Sequence, residues 1–238
     1  MRAKMTLAIV LAASSLVLVA LPAEALAGEP KFDPASGKSP LSFSGVNGGM
    51  VLTSAAGPEI TCKKGKDVGA FTLPPLGQTG SSTGDITLTF EECREGPPFN
   101  TQCNTVTQGA GTVVFGKSIF HTTYLTDAKT TPGILITPPT GGVFAKIICM
   151  SGMTVVEVKG NGVIGHMNAP KCGAQSGFFE NSFTASGAVQ TYKTLTETGV
   201  NGTWNLQTLT NGKAAVEASL TSTMTHTFVG DLGTLTCT

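Results

Sequence analysis

Ile86-Thr87-Leu88-Thr89-Phe90 alternates apolar and β-branched polar residues without interruption. Successive side chains of an extended strand point to opposite faces, so Ile86, Leu88 and Phe90 share one face while Thr87 and Thr89 share the other. That pattern fits an antiparallel strand with one face on a core and one in water. Working outward, similar short runs recur at residues 50–54, 59–62, 112–115, 133–137, 143–149, 153–158, 183–192, 203–210 and 219–229, with Gly, Pro and Asn between them. Residues 213–220 read equally well as a helix or a strand. Many short strands at close spacing predict a single all-β domain over residues 41–238, an antiparallel β-barrel or a β-sandwich; periodicity does not choose between the two.

The chain has six cysteines, Cys62, Cys93, Cys103, Cys149, Cys172 and Cys237. An even number, with no C-x-x-C and no histidine at zinc-finger spacing, predicts disulfides in an oxidising compartment rather than a metal site. The alternation puts Cys62 on the face of Ile60, and Cys149 on the face of Val143, Ala145 and Ile147; both thiols point inward. Cys93 lies beyond the Ile86 strand on the opposite parity, and a polar loop carries the chain to Cys103. The expected pairs are therefore Cys93–Cys103 locally, Cys62–Cys149 across the core, and Cys172–Cys237 tying the C-terminal strand to the loop after Pro170.

The N-terminus has the layout of an export signal. Arg2 and Lys4 precede an uncharged apolar run over residues 6–21, then Pro22 and Ala25-Leu26-Ala27. Cleavage is expected after Ala27, giving a signal peptide over residues 1–27 and a flexible polar lead over residues 28–40. No second apolar run follows, so the mature chain is expected to lack a transmembrane segment and to be secreted, extracellular or in the cell envelope. The full chain carries 15 basic and 15 acidic residues; without Arg2, Lys4 and Glu24 the balance is 13 against 14, a net charge of −1. That excludes the electrostatic footprint of a nucleic-acid or anionic-membrane binder. The basic cluster Lys63, Lys64 and Lys66 reads as a solvated strand end.

A resemblance rests on the framework residues. Phe43-x-Gly45, Met50-x-Leu52, Ile60-Thr61-Cys62-Lys63, Ile86-Thr87-Leu88-Thr89-Phe90-x-x-Cys93, a short loop to Cys103, Phe144-x-x-x-x-Cys149 and Gly162-Val163-Ile164-Gly165 follow one another in order. Over roughly residues 40–167 the chain resembles a group of secreted actinobacterial β proteins of unknown function, of the Solirubrobacterales/Thermoleophilia type. The last third, with Cys172 and Cys237, departs from that pattern. The resemblance implies an exported β protein and carries no functional residue with it.

Motifs for chemistry are weak. Gly80-Ser81-Ser82-Thr83-Gly84 matches G-x-S-x-G, but a nucleophile elbow needs a strand before the serine and a helix after it, and here a loop precedes and a strand follows. Gly160-Asn161-Gly162-Val163-Ile164-Gly165 matches G-x-G-x-x-G, but no helix follows to receive a pyrophosphate, and a tight hairpin explains the glycines. His121, His166 and His226 do not pair at metal-ligand spacing. Glu91, Glu92 and Glu95 form an acidic cluster that could serve glycoside hydrolysis or calcium. Trp204 is the sole tryptophan, too few for an aromatic sugar platform. Thr221, Thr223, Thr225 and Thr227 would line one strand face opposite Ser222, Met224, His226 and Phe228; the choice is an exposed strand or part of a flat Thr array. Asn201-Gly202-Thr203 fits the glycosylation pattern. No catalytic, cofactor-binding or metal-ligating residue is assigned, and no cofactor is expected. The expectation is a non-enzymatic binding or cell-envelope protein whose partner is a small apolar ligand or a surface; the alternative is a secreted hydrolase using Glu91 or Glu92 with a distant partner.

Overall fold

The computed structural model describes residues 29–37, 41–72, 80–125, 130–149, 154–184, 191–195 and 201–237, so the expected signal peptide at residues 1–27 lies outside the described residues. The chain forms β1 (Lys31–Pro34), β2 (Ser42–Asn47), β3 (Met50–Ser54), β4 (Ile60–Cys62), β5 (Lys64–Phe71), β6 (Thr83–Glu91) and β7 (Arg94–Glu95). It continues through β8 (Cys103–Thr105), β9 (Val113–Tyr124), β10 (Pro132–Thr137), β11 (Val143–Cys149), β12 (Thr154–Gly160) and β13 (Val163–Ala169). The last strands are β14 (Gln175–Ser176), β15 (Phe178–Phe183), β16 (Thr191–Leu195), β17 (Asn201–Thr210), β18 (Val216–Phe228) and β19 (Gly233–Thr236). No helix among the described residues is long and apolar enough to cross a membrane.

Strands β2, β5, β6, β9, β10, β13, β15 and β18 pair antiparallel in that order, and β18 returns to β2, which closes an eight-stranded barrel. Of the two expected architectures, the barrel is the one observed. A barrel of this size has an interior that side chains just fill. Here the fill is aromatic: Phe43, Phe71, Phe120 and Phe179 are buried and meet mostly edge to face, with Phe71 and Phe120 at 4.9 Å and Phe43 and Phe179 at 5.1 Å.

Both ends of this barrel are covered. At one end β1, β19 and β14 form a small sheet. Phe32 of β1 is 1% exposed and packs on Phe71, Phe179 and Phe228. Residues 31–34 are thus a paired strand and not part of a flexible lead. Their partner is at the far C-terminus, beyond the reach of local pattern reading. The Cys172–Cys237 disulfide anchors this sheet to the turn before β14.

At the other end the strands continue into a second ring. The pairings run β3–β4, β4–β7, β8–β11, β11–β12, β12–β17, β17–β18 and β18–β3, and the bridge Arg94–Gln102 joins β7 to β8. β18 runs through both rings: Val216–Thr221 pairs with β17 and β3, and residues 222–228 pair with β15 and β2. The segment read as helix or strand is therefore strand from Val216 onward. The second ring is filled by Met50, Leu52, Ile60, Ile147, Val156, Val158, Leu206 and Leu220, all buried.

The passage from β6 to β7 overturns two of the three expected disulfides. Glu92 adopts φ 56°, a left-handed conformation that interrupts the strand. The interruption shifts parity by one, so Cys93 points inward with Phe90 instead of outward. The β4–β7 register then sets Cys62 opposite Cys93, and these two are bonded. Cys103 stands opposite Cys149 in the β8–β11 ladder, and these are bonded too. Cys93–Cys103 and Cys62–Cys149 are not formed. Cys62, Cys93, Cys103 and Cys149 occupy one row across four neighbouring strands. A bond between the middle pair would leave Cys62 and Cys149 three strand spacings apart, about 14 Å along the ladder and beyond disulfide reach.

Two further expectations are corrected. Gly160-Asn161-Gly162 is not a hairpin, because β12 and β13 do not pair; it is the crossing from the second ring to the barrel. Gly160 has φ 140°, and a Cβ there would lie 2.3 Å from the Asn205 carbonyl oxygen, so close backbone approach explains the glycine. The run over residues 183–192 is not one strand: β15 ends at Phe183 and β16 begins at Thr191, with residues 185–190 outside the described residues.

Candidate functional site

The acidic cluster divides. Glu91 and Glu92 face outward beside the lysines of β5 and its approach: Lys66 Nζ is 3.0 Å from Glu91 Oε1, Lys64 Nζ is 3.0 Å from Glu92 Oε1, and Lys63 is 3.7 Å from Glu92. The hydrogen bond from Lys66 holds the Glu91 carboxyl below its ordinary range, and the bond from Lys64 does the same for Glu92. Lys64 is raised in turn, chiefly by its hydrogen bond to Glu92. Exposed carboxylates held ionised by lysines are poor proton donors, which argues against the hydrolase reading built on them.

His226 is fully buried in the barrel, and so is its setting. Its Nδ1 donates to Asp67 Oδ1 at 2.7 Å, and Nε2 lies 2.6 Å from Asn181 Oδ1. Phe179 stacks on the ring at 4.2 Å and Phe43 meets it edge-on at 5.3 Å. Asp67 reaches His226 across β2, over Gly45, which stands between them in the register. A Cβ at Gly45 would sit 2.3 Å from Asp67 Oδ2. With its amide turned to satisfy both neighbours, Asn47 donates to Asp67 Oδ2 at 3.1 Å. An Asp–His pair is half of a hydrolytic triad, but the nitrogen that would face a nucleophile is occupied by Asn181. This is an interior polar network.

The other motifs resolve as framework. Ser81 pairs with Phe32 of β1, and β6 follows the serines where an elbow would need a helix. His121 lies on β9 opposite Thr83, and His166 is exposed on β13. Trp204 is half-buried, with its indole N–H unpartnered. Thr221, Thr223 and Thr227 face outward as expected, with Thr225 partly covered. Their cross-strand neighbours are not threonines: Thr225 lies between Val46 and Glu180, and Thr227 between Ser44 and Phe178. A single Thr strand on a curved barrel is not a flat array. Asn201-Gly202-Thr203 lies in β17.

A cleft opens to solvent at the free mouth of the second ring. Here the β3–β4 turn, the β7–β8 loop and the β17–β18 turn surround a cleft of about 280 Å³. Pro58, Pro97, Pro98 and Phe99 form an apolar wall, and Phe99 is 58% exposed. The loop is tied down by Gly96 N–H to the Glu59 carbonyl at 2.8 Å and by Arg94 Nη1 to the Asn100 carbonyl at 3.1 Å. Asn211 closes the far turn by accepting the Val155 N–H on its side-chain oxygen at 2.7 Å.

Glu95 lines this cleft and is only 3% exposed. It is the inward residue of β7, opposite Ile60. Thr101 Oγ1 donates to its Oε2 at 3.2 Å. No cation lies within ion-pair distance among the described residues. Thr210 adds a buried hydroxyl with no hydrogen-bond partner, and a Cβ at Gly57 would press to 2.6 Å on it, which keeps this wall bare. No histidine, serine, cysteine or second carboxylate is among the described residues lining the cleft. Sequence reading grouped Glu95 with Glu91 and Glu92; the parity shift at Glu92 sends it inward instead. No known protein family, curated protein or solved structure matches the chain.

Proposed function

We propose that this chain is an exported, disulfide-bonded binding protein of the cell envelope or its surroundings, without a reaction of its own, and that it meets a macromolecular partner at the mouth of the second ring. The carrying observation is Glu95: a buried carboxylate without a counter-charge, at the rim of a cleft with an exposed phenylalanine beside it. Three disulfides support export, and so does the resemblance to secreted actinobacterial β proteins. The carriage of a small apolar ligand inside the barrel has no support, because that interior is filled by Phe43, Phe71, Phe120 and Phe179 and covered by Phe32.

Site-specific photocross-linking in the exporting organism tests the reading. A photoreactive phenylalanine analogue at Phe99 should give a discrete adduct, whereas the same analogue at Val229, exposed beyond the opposite end of β18, should not. Equal labelling at both positions, or none at Phe99, would remove the mouth as the binding surface. Export itself is checked by N-terminal sequencing of protein from the medium, which should begin at Gly28.

A further inference from the structure

We infer that the mouth receives an arginine side chain of a partner protein, with the guanidinium on Glu95 and the methylene stem along Pro58, Pro97 and Phe99; this rests on the binding reading above. A buried carboxylate keeps its place at a cost of several kcal/mol unless a positive group or several donors offset it. Glu95 has one neutral donor, Thr101, on Oε2, which leaves Oε1 for a visitor. The visitor should therefore be a cation.

The cleft's shape narrows the cation. The cleft, at about 280 Å³, is at or below the small end of ligand pockets and suits one long side chain. Its wall is apolar, which fits a side chain that buries a hydrocarbon stem and carries its charge at the tip. Phe99 offers a ring face on which a planar guanidinium stacks better than an ammonium. A guanidinium also presents its N–H groups as a fixed fork that meets a carboxylate along two hydrogen bonds, where an ammonium is a point charge. A hydrated metal ion would gain nothing from the prolines and the phenylalanine.

The test uses the mature chain from Gly28, labelled with ¹⁵N, and four capped amino acids as probes: arginine, lysine, citrulline and norleucine N-acetyl methylamides. Arginine should bind with millimolar affinity, shifting the amides of Gly96, Phe99 and Asn211, and lysine should bind more weakly. Citrulline has arginine's shape without its charge and should not bind. Glu95→Gln should weaken arginine binding about tenfold and Phe99→Ala about threefold. Citrulline binding as well as arginine, norleucine binding best, or shifts confined to another surface would each overturn the inference. The probe comparison is made on the unmodified protein, so it stands even if a variant fails to fold. A discrete cross-link at Phe99 together with no arginine binding would sink this inference and leave the binding reading intact; loss of both would sink both.

Discussion

Replacing His226 by phenylalanine would keep a ring between Phe43 and Phe179 and remove the donor to Asp67. Both members of the pair are fully buried and 2.7 Å apart. The carboxylate left behind would keep the Asn47 amide at 3.1 Å as its charge-stabilising partner in an otherwise aromatic interior. Breaking a buried pair by removing one partner costs about 3–5 kcal/mol, mostly the penalty of the uncompensated charge. Domains of this kind are stable by roughly 5–15 kcal/mol, so the loss is at least about a fifth of the total. Asp67→Val should cost less, because it removes the buried carboxylate itself and leaves the ring its contact with Asn181. The double variant His226→Phe/Asp67→Val should recover part of the loss, with a coupling of about 2–3 kcal/mol. Urea unfolding followed by the fluorescence of Trp204, the sole tryptophan, measures this with the disulfides intact. At a typical urea slope, the His226→Phe midpoint should fall by about 1–2 M. Additive single losses, each below about 1 kcal/mol, would mean that the pair is solvated or unformed and would refute the reasoning.

Non-reducing peptide mapping should recover Cys62–Cys93, Cys103–Cys149 and Cys172–Cys237, and Cys103→Ala/Cys149→Ala should lower stability by about 4 kcal/mol in the chain-entropy account, read by denaturant unfolding. Glu91 and Glu92 sit below the ordinary 4.5, so their contribution to stability is fully present above that value and is lost as pH falls through the lowered ones. Thermal midpoints of Glu91→Gln/Glu92→Gln and the parent protein should therefore differ at pH 6 and converge in acid, with the difference shrinking in high salt. Glu95→Gln should not destabilise the free protein, because no cation among the described residues pairs with the carboxylate; a loss of more than about 1 kcal/mol by urea unfolding at neutral pH would show that the carboxylate is internally compensated.

The architecture was legible wherever one strand face is wet and the other dry. Met50–Ser54 and Val143–Cys149 have the boundaries that alternation assigns them, and β6 differs only in extending to Thr83 and Glu91. The barrel's closure was not legible, because it depends on pairings between distant strands such as β18 and β2. Nor was β1, four residues in a proline-bearing polar stretch whose partner lies some 200 residues away. The cysteine pairing failed at one residue. Parity counting assumes an unbroken strand, and the left-handed turn at Glu92 adds a step that no local pattern announces, since glutamate rarely adopts it. That same step hid the site: counted straight from Phe90, Glu95 belongs to the outer face with Glu91, and it lies instead inside the mouth.

Asp67 and Glu95 are both buried, and their surroundings differ in a way that bears on function. Around Asp67 the chain has made provision: a glycine on the intervening strand clears the path, a histidine donates to one oxygen and an asparagine to the other, and aromatic rings exclude water from the group. A carboxylate treated this way belongs to the frame and needs nothing from outside. Glu95 has no such provision. One threonine reaches it, no cation does among the described residues, and its neighbours on the open side are prolines and an exposed phenylalanine. Burial sets a cost on both groups, and only around Asp67 does the chain supply partners to both oxygens. The aromatic filling seals the barrel and lysines face the outer acidic pair, whereas Glu95 stands without a cation among the described residues at a cleft that faces solvent. A partner bearing a guanidinium would bring to Glu95 from outside what His226 brings to Asp67 from within.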